Sequence, residues 1–159
     1  MKIVFGIELN AQHLRIGLIA GLIAVLITTA VNVASRVVGL FPEAMDLKNM
    51  AEFFVNPARD PATAFVLGTI LHILLGGVAG VVYGLLIKSF SPIGGVLFMF
   101  ANWLLMMLAL FPVTNRGFFG LNQGSMMPVA TFILNMLYGV VFGVLARRMD
   151  AAASQPKIP

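Results

Sequence analysis

Two stretches of this chain decide its fold: ILHILLGGVAGV at residues 70–81 and ILNMLYGVVFGV at residues 133–144. Seven of their twelve aligned positions are identical, and two of the shared positions are glycines. The glycine pairs are Gly76 with Gly139 and Gly80 with Gly143. Glycines four residues apart share one face of a helix and let another helix approach closely. The matching stretches therefore predict two similar helices that pack through glycine faces.

A second match lies upstream of each glycine helix. Asn32 is followed eight residues later by a Leu-Phe-Pro tripeptide that begins at Leu40, and Asn102 is followed in the same way from Leu110. The order of asparagine, Leu-Phe-Pro, connector and glycine helix thus occurs twice. We expect two tandem helical hairpins, related by a pseudo-two-fold axis along the membrane normal. The repeats would cover residues of about 14–88 and about 92–148.

The composition places the chain in a membrane. Of its 159 residues, 60% are hydrophobic and 10% are charged, and the mean hydropathy is +0.99. A soluble domain of this size could not keep so much apolar surface from water. Four stretches are long enough to cross a hydrocarbon core, which takes about 20 apolar residues. We expect a single transmembrane domain over residues 1–159, an all-α four-helix bundle. Its spans would lie at about residues 14–40, 61–87, 92–110 and 128–147.

Charges beside the helix ends predict the orientation. The side with both termini carries six basic and two acidic residues, whereas the opposite side carries four of each. Because basic residues are retained on the cytoplasmic side, we expect both termini in the cytoplasm. The first apolar run is longer than a signal-peptide core, so we expect it to remain as a span. Arg36, a charged residue of the first span, lies close enough to a helix end to reach the headgroups.

The first outer connector has an amphipathic pattern. Leu47, Met50, Ala51 and Phe54 follow the i, i+3, i+4, i+7 spacing of a helix face, with acidic and amide residues such as Glu43 off that face. We expect this helix to lie flat on the outer membrane interface. The alternative is a helix that folds over the mouth of the bundle as a lid, or that docks on a partner.

The second outer connector, residues 113–127, has three glycines and no helical period, which predicts a loop. Several of its residues are large and apolar, and such a patch is unfavourable in bulk water. We expect these residues to dip into lipid or to contact a neighbouring protein. They are Phe118, Phe119, Leu121, Met126 and Met127.

The glycines of the second and fourth spans are the predicted helix-packing residues. They are Gly76, Gly80 and Gly84 in the second span and Gly139 and Gly143 in the fourth. The duplication favours a crossing of these two spans through their glycine faces. In the alternative arrangement, one glycine face turns inward and the other turns toward a partner subunit. A weaker glycine pair, Gly17 and Gly21, lies in the first span.

Each span carries one strongly polar residue: Asn32, His72, Asn102 and Asn135. Counted at about 1.5 Å per residue from the outer prolines, they lie about 10–16 Å deep, in one layer. Polar groups at that depth are costly unless paired, so we expect them to point into the bundle. We favour a hydrogen-bonded belt that fixes helix register. The alternative is a small polar site with His72 as its titratable member.

Reactive chemistry is sparse in this sequence. His72 is the one candidate cofactor ligand, for a haem or a chlorophyll-type pigment, and the second ligand would come from another chain because His13 lies at a different depth. There is no cysteine, no carboxylate within the spans, no serine–histidine–acid set, no HExxH and no nucleotide-binding loop. We therefore predict no catalytic residue and no metal site.

The run Leu71-His72-x3-Gly76-x3-Gly80-x2-Tyr83-Gly84 follows a first helix that ends in Arg36-x2-Gly39-Leu40-Phe41-Pro42. This combination resembles small uncharacterised bacterial inner-membrane proteins with four predicted helices. The resemblance covers most of the chain. It implies a multi-pass protein of the bacterial plasma membrane and no particular activity.

These observations favour a non-catalytic integral-membrane scaffold or accessory subunit of a larger membrane complex, such as a respiratory or photosynthetic one. Its expected partners are the lipid bilayer and other membrane subunits or further copies of the chain, and not nucleic acid. One alternative is a small homo-oligomeric transporter or channel, whose path is lined by Asn32, His72, Asn102 and Asn135. The other is a haem or pigment binder that uses His72.

Overall fold

The computed structural model describes residues 2–4, 7–41, 46–52, 54–87 and 89–155. Two short strands, β1 (Lys2–Val4) and β2 (Ile7–Leu9), pair antiparallel ahead of the first helix. Four helices in this part of the chain are long and apolar enough to span a membrane. They are α1 (Ala11–Val37), α2 (Pro61–Leu86), α3 (Pro92–Val113) and α4 (Met127–Ala153). The four long, apolar helices predicted from composition are confirmed, and the short β-hairpin was not predicted.

Side-chain caps set the starts of the first three helices. The Asn10 side chain accepts from the Gln12 amide, the Asp60 carboxylate accepts from the Thr63 amide at 3.0 Å, and the Ser91 hydroxyl accepts from the Gly94 amide at 2.9 Å. Prolines follow Asp60 and Ser91, at the first helical position where no amide hydrogen is needed. The bonds from the Thr63 side chain and amide hold the pKa of Asp60 below its ordinary value.

The third span is not a uniform α-helix. It is α-helical from Pro92 to Leu105, widens into a π-helical turn over Met106–Leu110, and ends with one α-helical turn over Phe111–Val113. A π-helical turn inserts a residue into the hydrogen-bond ladder and often marks a functional region. Here it adjoins the cleft described below.

The helices associate as two close pairs. α1 packs mainly against α2, and α3 packs mainly against α4, while α1 and α4 hold the pairs together. We call α1–α2 the first hairpin and α3–α4 the second hairpin. The start of α1 and the end of α4 lie on one side of the bundle, the terminus side, and the described residues of the two long connectors lie on the other, the connector side.

Glycine backbone contacts join the first hairpin. A Cβ atom on Gly80 would lie 2.2 Å from the carbonyl oxygen of Gly17, and one on Gly76 would lie 2.5 Å from the Cβ of Val25. A Cβ on Gly84 would lie 2.6 Å from the His13 carbonyl oxygen. These distances leave no room for a side chain, so the glycine face of α2 is in direct contact with α1.

The second hairpin is joined in the same way. A Cβ atom on Gly139 would lie 2.8 Å from the carbonyl oxygen of Gly95, and one on Gly143 would lie 2.6 Å from that of Ser91. The predicted crossing of the second and fourth spans through their glycine faces is therefore wrong. The alternative arrangement, in which one glycine face turns toward a partner subunit, is also wrong. In each hairpin the preceding helix offers its own small residues, so two flat backbone surfaces meet.

The first connector does not form the predicted amphipathic α-helix. Its described residues contain one 3₁₀ turn, Leu47–Met50, capped by Asp46. Leu47 and Ala51 are buried, and the Leu47 carbonyl group lies against Gly68 of α2, whereas Phe54 is exposed. The connector is thus folded back onto the bundle, because half of its apolar stripe is buried against α2. Glu43 and Pro42, which entered the sequence argument, lie outside the described residues, as does Lys88 in the α2–α3 turn.

The second connector contains a 3₁₀ segment, Phe118–Gln123, which left-handed backbone angles interrupt at Phe119 and Gly120. Three of its apolar residues are exposed as expected: Phe118, Leu121 and Met126. The other two belong to the core. Met127 is buried, and the Phe119 ring lies 5.9 Å from that of Trp103. The expectation of lipid contact is wrong for these two, because Met127 packs with the buried Met107 and Phe111 of α3 and the half-buried Phe119 packs against the same cluster.

Candidate functional site

A cleft of about 880 Å³ lies between α2 and α3. The two helices are close only near the short turn that joins them, where a Cβ atom on Gly94 would lie 2.4 Å from the Tyr83 hydroxyl oxygen. Toward the connector side they separate, because each is bound to its own hairpin partner. Leu75 and Leu105 line the two edges of the gap and are 57% and 65% exposed. The cleft therefore opens sideways, through the exposed apolar gap between α2 and α3.

Aromatic side chains close the cleft on the terminus side. Tyr83 is fully buried, and its ring lies 5.2 Å from Phe98, 5.0 Å from Phe142 and 5.9 Å from Phe90, measured between centroids. These four rings, which we call the aromatic plug, come from α2, α3, α4 and the α2–α3 turn. They fill the space between the helices below the cleft.

Connector residues close the opposite end of the cleft. Arg116 of the second connector donates to the carbonyl oxygen of Asn49 at 2.8 Å and to the Glu52 carboxylate at 2.5 Å. Its guanidinium group also lies 5.5 Å from the centre of the Phe111 ring. Arg116 thereby ties the first connector to the second across the mouth of the bundle.

A second ion cluster holds the first connector. The buried Asp46 carboxylate pairs with Arg36 at 2.8 Å and with Lys48 at 3.1 Å. Burial raises the pKa of Asp46, but the hydrogen bonds from Lys48 and Arg36 outweigh it, so the pKa lies below its ordinary value. We call the residues of both ion clusters the connector clamp. They are Arg36, Asp46, Lys48, Glu52 and Arg116.

The four polar residues singled out from the sequence all line this cleft: Asn32, His72, Asn102 and Asn135. The Nδ2 atom of Asn102 lies 3.4 Å from Oδ1 of Asn135, whose own Nδ2 donates to the Thr131 carbonyl oxygen at 2.8 Å. His72 is half-buried on the α2 wall. Within the described residues no hydrogen bond links Asn32 or His72 to the asparagine pair. The structure thus gathers the four residues around one cavity but joins only two of them.

Two further hydrogen bonds at this level were not predicted. The Tyr138 hydroxyl donates to the Gly76 carbonyl oxygen at 2.7 Å, which links α4 to α2, and Trp103 Nε1 donates to Thr131 Oγ1 at 3.1 Å. The sequence did hold a signal for Tyr138. In the matched stretches it aligns with Leu75, so a hydroxyl replaces an aliphatic residue at that position.

Residues 11–157 match a family described as a family of unknown function, DUF6789. This chain belongs to DUF6789. The match includes all four spans and both long connectors, and the predicted resemblance to an uncharacterised family is confirmed. Neither the curated proteins nor the solved structures contain a match to the chain.

The groups on the cleft wall of this DUF6789 protein are suited to binding. Amides, one imidazole and hydroxyl groups provide hydrogen bonds, and most of the remaining wall is aliphatic or aromatic. In the described part of the chain no three histidine, cysteine or acidic residues are grouped so that they could hold a metal ion. His72 is also the one histidine among the described lining residues, so a bis-histidine haem would need a ligand from elsewhere.

Proposed function

We propose that this chain is a non-catalytic integral membrane protein that binds a small amphipathic molecule in the cleft between α2 and α3. The observation that carries the proposal is the shape of the cleft. Protein closes it at both ends, by the aromatic plug and the connector clamp, and it is open along the lipid-facing gap. Its volume of about 880 Å³ falls within the range of roughly 300–1,000 Å³ typical of small-molecule sites.

A membrane-spanning helix of a partner fits this cleft less well. A span of 20 residues is about 30 Å long, so it reaches across the whole hydrocarbon core. Such a helix would have to pass both closed ends. A molecule that enters from the lipid phase meets neither obstacle. The aromatic plug likewise disfavours a continuous channel through a single copy of the chain.

The proposal is tested by a substitution that fills the cleft with a larger side chain. Ala79 lines the cleft, and Ala101 is exposed on α3 outside it. We expect lipid-phase molecules to co-purify with the wild type and with Ala101→Phe in mild detergent, and at least a tenfold lower occupancy in Ala79→Phe by native mass spectrometry. Equal occupancy in the two variants would contradict binding in the cleft.

A second candidate function is that of a scaffold or accessory subunit in a larger membrane complex. The exposed apolar residues Phe118, Leu121 and Met126 on the connector side favour it, because such a surface can contact another membrane protein. Purification in mild detergent tests this candidate. A stoichiometric partner that is lost when Phe118 and Leu121 are replaced by serine supports it, and a lone chain does not.

We further propose that both termini face the cytoplasm of a bacterial cell and that the connector side contacts the outer interface of the plasma membrane, with exposed Phe54 among the headgroups. The excess of basic residues on the terminus side supports this orientation. The chain has no cysteine, so single cysteines report topology directly. A membrane-impermeant thiol reagent applied to intact cells should modify Ala58→Cys and spare Ser154→Cys, and the reverse pattern would contradict this orientation.

The two hairpins are, in this proposal, products of a tandem duplication. Gly76 and Gly139, and likewise Gly80 and Gly143, occupy aligned positions in the sequence, and all four lie in close contact with the preceding helix. A shared packing mode at aligned positions supports descent from one ancestral hairpin. Separate expression of residues 92–155 tests it: an autonomous hairpin should dimerise in detergent in place of the missing copy.

A further inference from the structure

We infer that the cleft selects an uncharged lipid whose head group offers carbonyl oxygens to hydrogen-bond donors at mid-membrane depth. The inference rests on the proposed binding function and names the class of molecule bound. It starts from how charge is distributed along the cleft. Among the described lining residues, the aspartate and arginine, Asp46 and Arg116, are confined to the connector end. Deeper in the cleft, the polar groups are amides, an imidazole and hydroxyls.

The charges at the connector end are already engaged. Asp46 is paired with Arg36 and Lys48, and Arg116 is bonded to Glu52 and to the Asn49 carbonyl oxygen. A phosphate or a carboxylate on the ligand would have to displace these partners, which would leave a partly buried charge without its counterion. An ionic head group deeper in the cleft would find no carboxylate, ammonium or guanidinium group of opposite charge on the described wall. Both positions therefore disfavour a charged ligand.

The hydroxyl groups of the wall are also engaged as donors. Thr28 donates to the Ala24 carbonyl oxygen at 3.0 Å, Thr131 to that of Met127 at 2.8 Å, and Tyr138 to that of Gly76 at 2.7 Å. Each of these bonds ends on a helix backbone. A hydroxyl that donated to a ligand would lose its existing hydrogen bond, so the hydroxyls are poor candidates for head-group recognition.

The amide and imidazole N–H groups of the wall are the remaining hydrogen-bond donors for a ligand. A side-chain amide has two hydrogens, and one hydrogen each of Asn102 and Asn135 is used in the bonds described above, so one hydrogen of each remains. His72 contributes a ring N–H from the α2 wall, opposite the asparagine pair on α3 and α4. Donors thus face the cavity from two sides. A small head group with carbonyl oxygens complements them, while its apolar tail lies along the aliphatic wall or leaves through the lateral gap.

Two kinds of membrane lipid offer this chemistry: quinones, with two ring carbonyls, and diacylglycerols, with two ester carbonyls. The test uses purified full-length protein in a non-ionic detergent and four probes with apolar tails. Decyl-benzoquinone and dioctanoylglycerol are the uncharged probes, and decyl phosphate and decyltrimethylammonium are the charged ones. We expect at least one uncharged probe to bind at least tenfold more tightly than both charged probes. The better of the two identifies a ring or an ester head group.

Substitutions at His72 provide the second arm. His72→Leu removes a donor without breaking a described bond, so the variant should fold, and we expect at least a tenfold loss of affinity for the preferred uncharged probe. His72→Asn keeps an N–H donor and should bind within about threefold of the wild type. Tight binding of a charged probe, or unchanged affinity in His72→Leu, would overturn the head-group inference. If Ala79→Phe still abolished binding in that case, the proposed binding function would stand. If no probe bound and Ala79→Phe changed nothing, both would fail.

Discussion

The two hairpins share one packing mode and differ in how they use their polar residues. Gly80 in the first and Gly143 in the second both touch the backbone of the preceding helix. In the second hairpin, however, the polar residues of the two helices bond to each other, as Asn102 does to Asn135. In the first, His72 makes no such bond within the described residues and faces the cleft. Glycine contacts thus hold the two helices of each hairpin together, whereas the hydrogen bonding of the polar residues differs between the hairpins.

The largest expected effect concerns the feature that the hairpins share. Gly80→Leu would drive a side chain into the Gly17 carbonyl oxygen, and Gly143→Leu would do the same at Ser91, so each should destabilise the protein by about 1–3 kcal/mol or more through overpacking. Thermal unfolding in detergent measures both. Val78→Leu, on the exposed face of α2, is the matched control. If either glycine variant unfolded like the control, the hairpins would not share the packing mode.

The next effect tests the difference between the hairpins. Asn102→Leu leaves the Oδ1 atom of Asn135 without its donor, so we expect a loss of about 1–2 kcal/mol. His72→Leu should cost less, because His72 has no described hydrogen bond to lose. His72→Asn, which copies the residue found at the aligned position 135, should be tolerated. A larger loss from His72→Leu than from Asn102→Leu in the same melting assay would reverse the comparison.

A smaller effect is expected at the bond that joins the hairpins. Tyr138→Phe removes the hydroxyl that donates to the Gly76 carbonyl oxygen at 2.7 Å, which should lower the free energy of unfolding by about 0.5–1.5 kcal/mol. Tyr83→Phe is the control, because its hydroxyl lies 3.5 Å from its acceptor and contributes a weaker bond. Equal losses in the two variants would remove Tyr138 as a specific link between the hairpins.

The smallest effect concerns Asp46 of the connector clamp, which holds the first connector to the end of α1 through Arg36. The pKa of Asp46 is lowered in the folded protein, so its contribution is present above the ordinary value of 3.8 and is lost as the pH falls through the folded pKa. We expect the wild type to lose up to about 1 kcal/mol below about pH 4 relative to Asp46→Asn, since the partners are partly exposed. Parallel pH profiles of melting for the two proteins would contradict this.

The polar layer shows how far the sequence predicted the site. Its four members were found as the strongly polar residue of each span, the depth count placed them in one layer, and all four line the cleft. Which of the four would bond to each other was not predictable. The spacing from the packing glycine to the asparagine differs between the first and third spans by about one helical turn. Gly21 and Gly95 make equivalent contacts with the aligned glycines, yet Asn32 follows Gly21 by eleven residues and Asn102 follows Gly95 by seven. A count of depth cannot detect that offset.

The sequence by itself determined four long apolar helices, the starts of two of them at capped prolines, and two glycine faces at aligned positions. These features follow from composition and local spacing, which act within one helix. Only the tertiary structure decided which helix each glycine face meets, where the first connector folds, and that α2 and α3 separate to leave a cleft. The physical reason is that close packing depends on the shape of both surfaces. Gly76 and Gly80 require a flat partner, and the pattern of α2 alone does not say that α1 provides it.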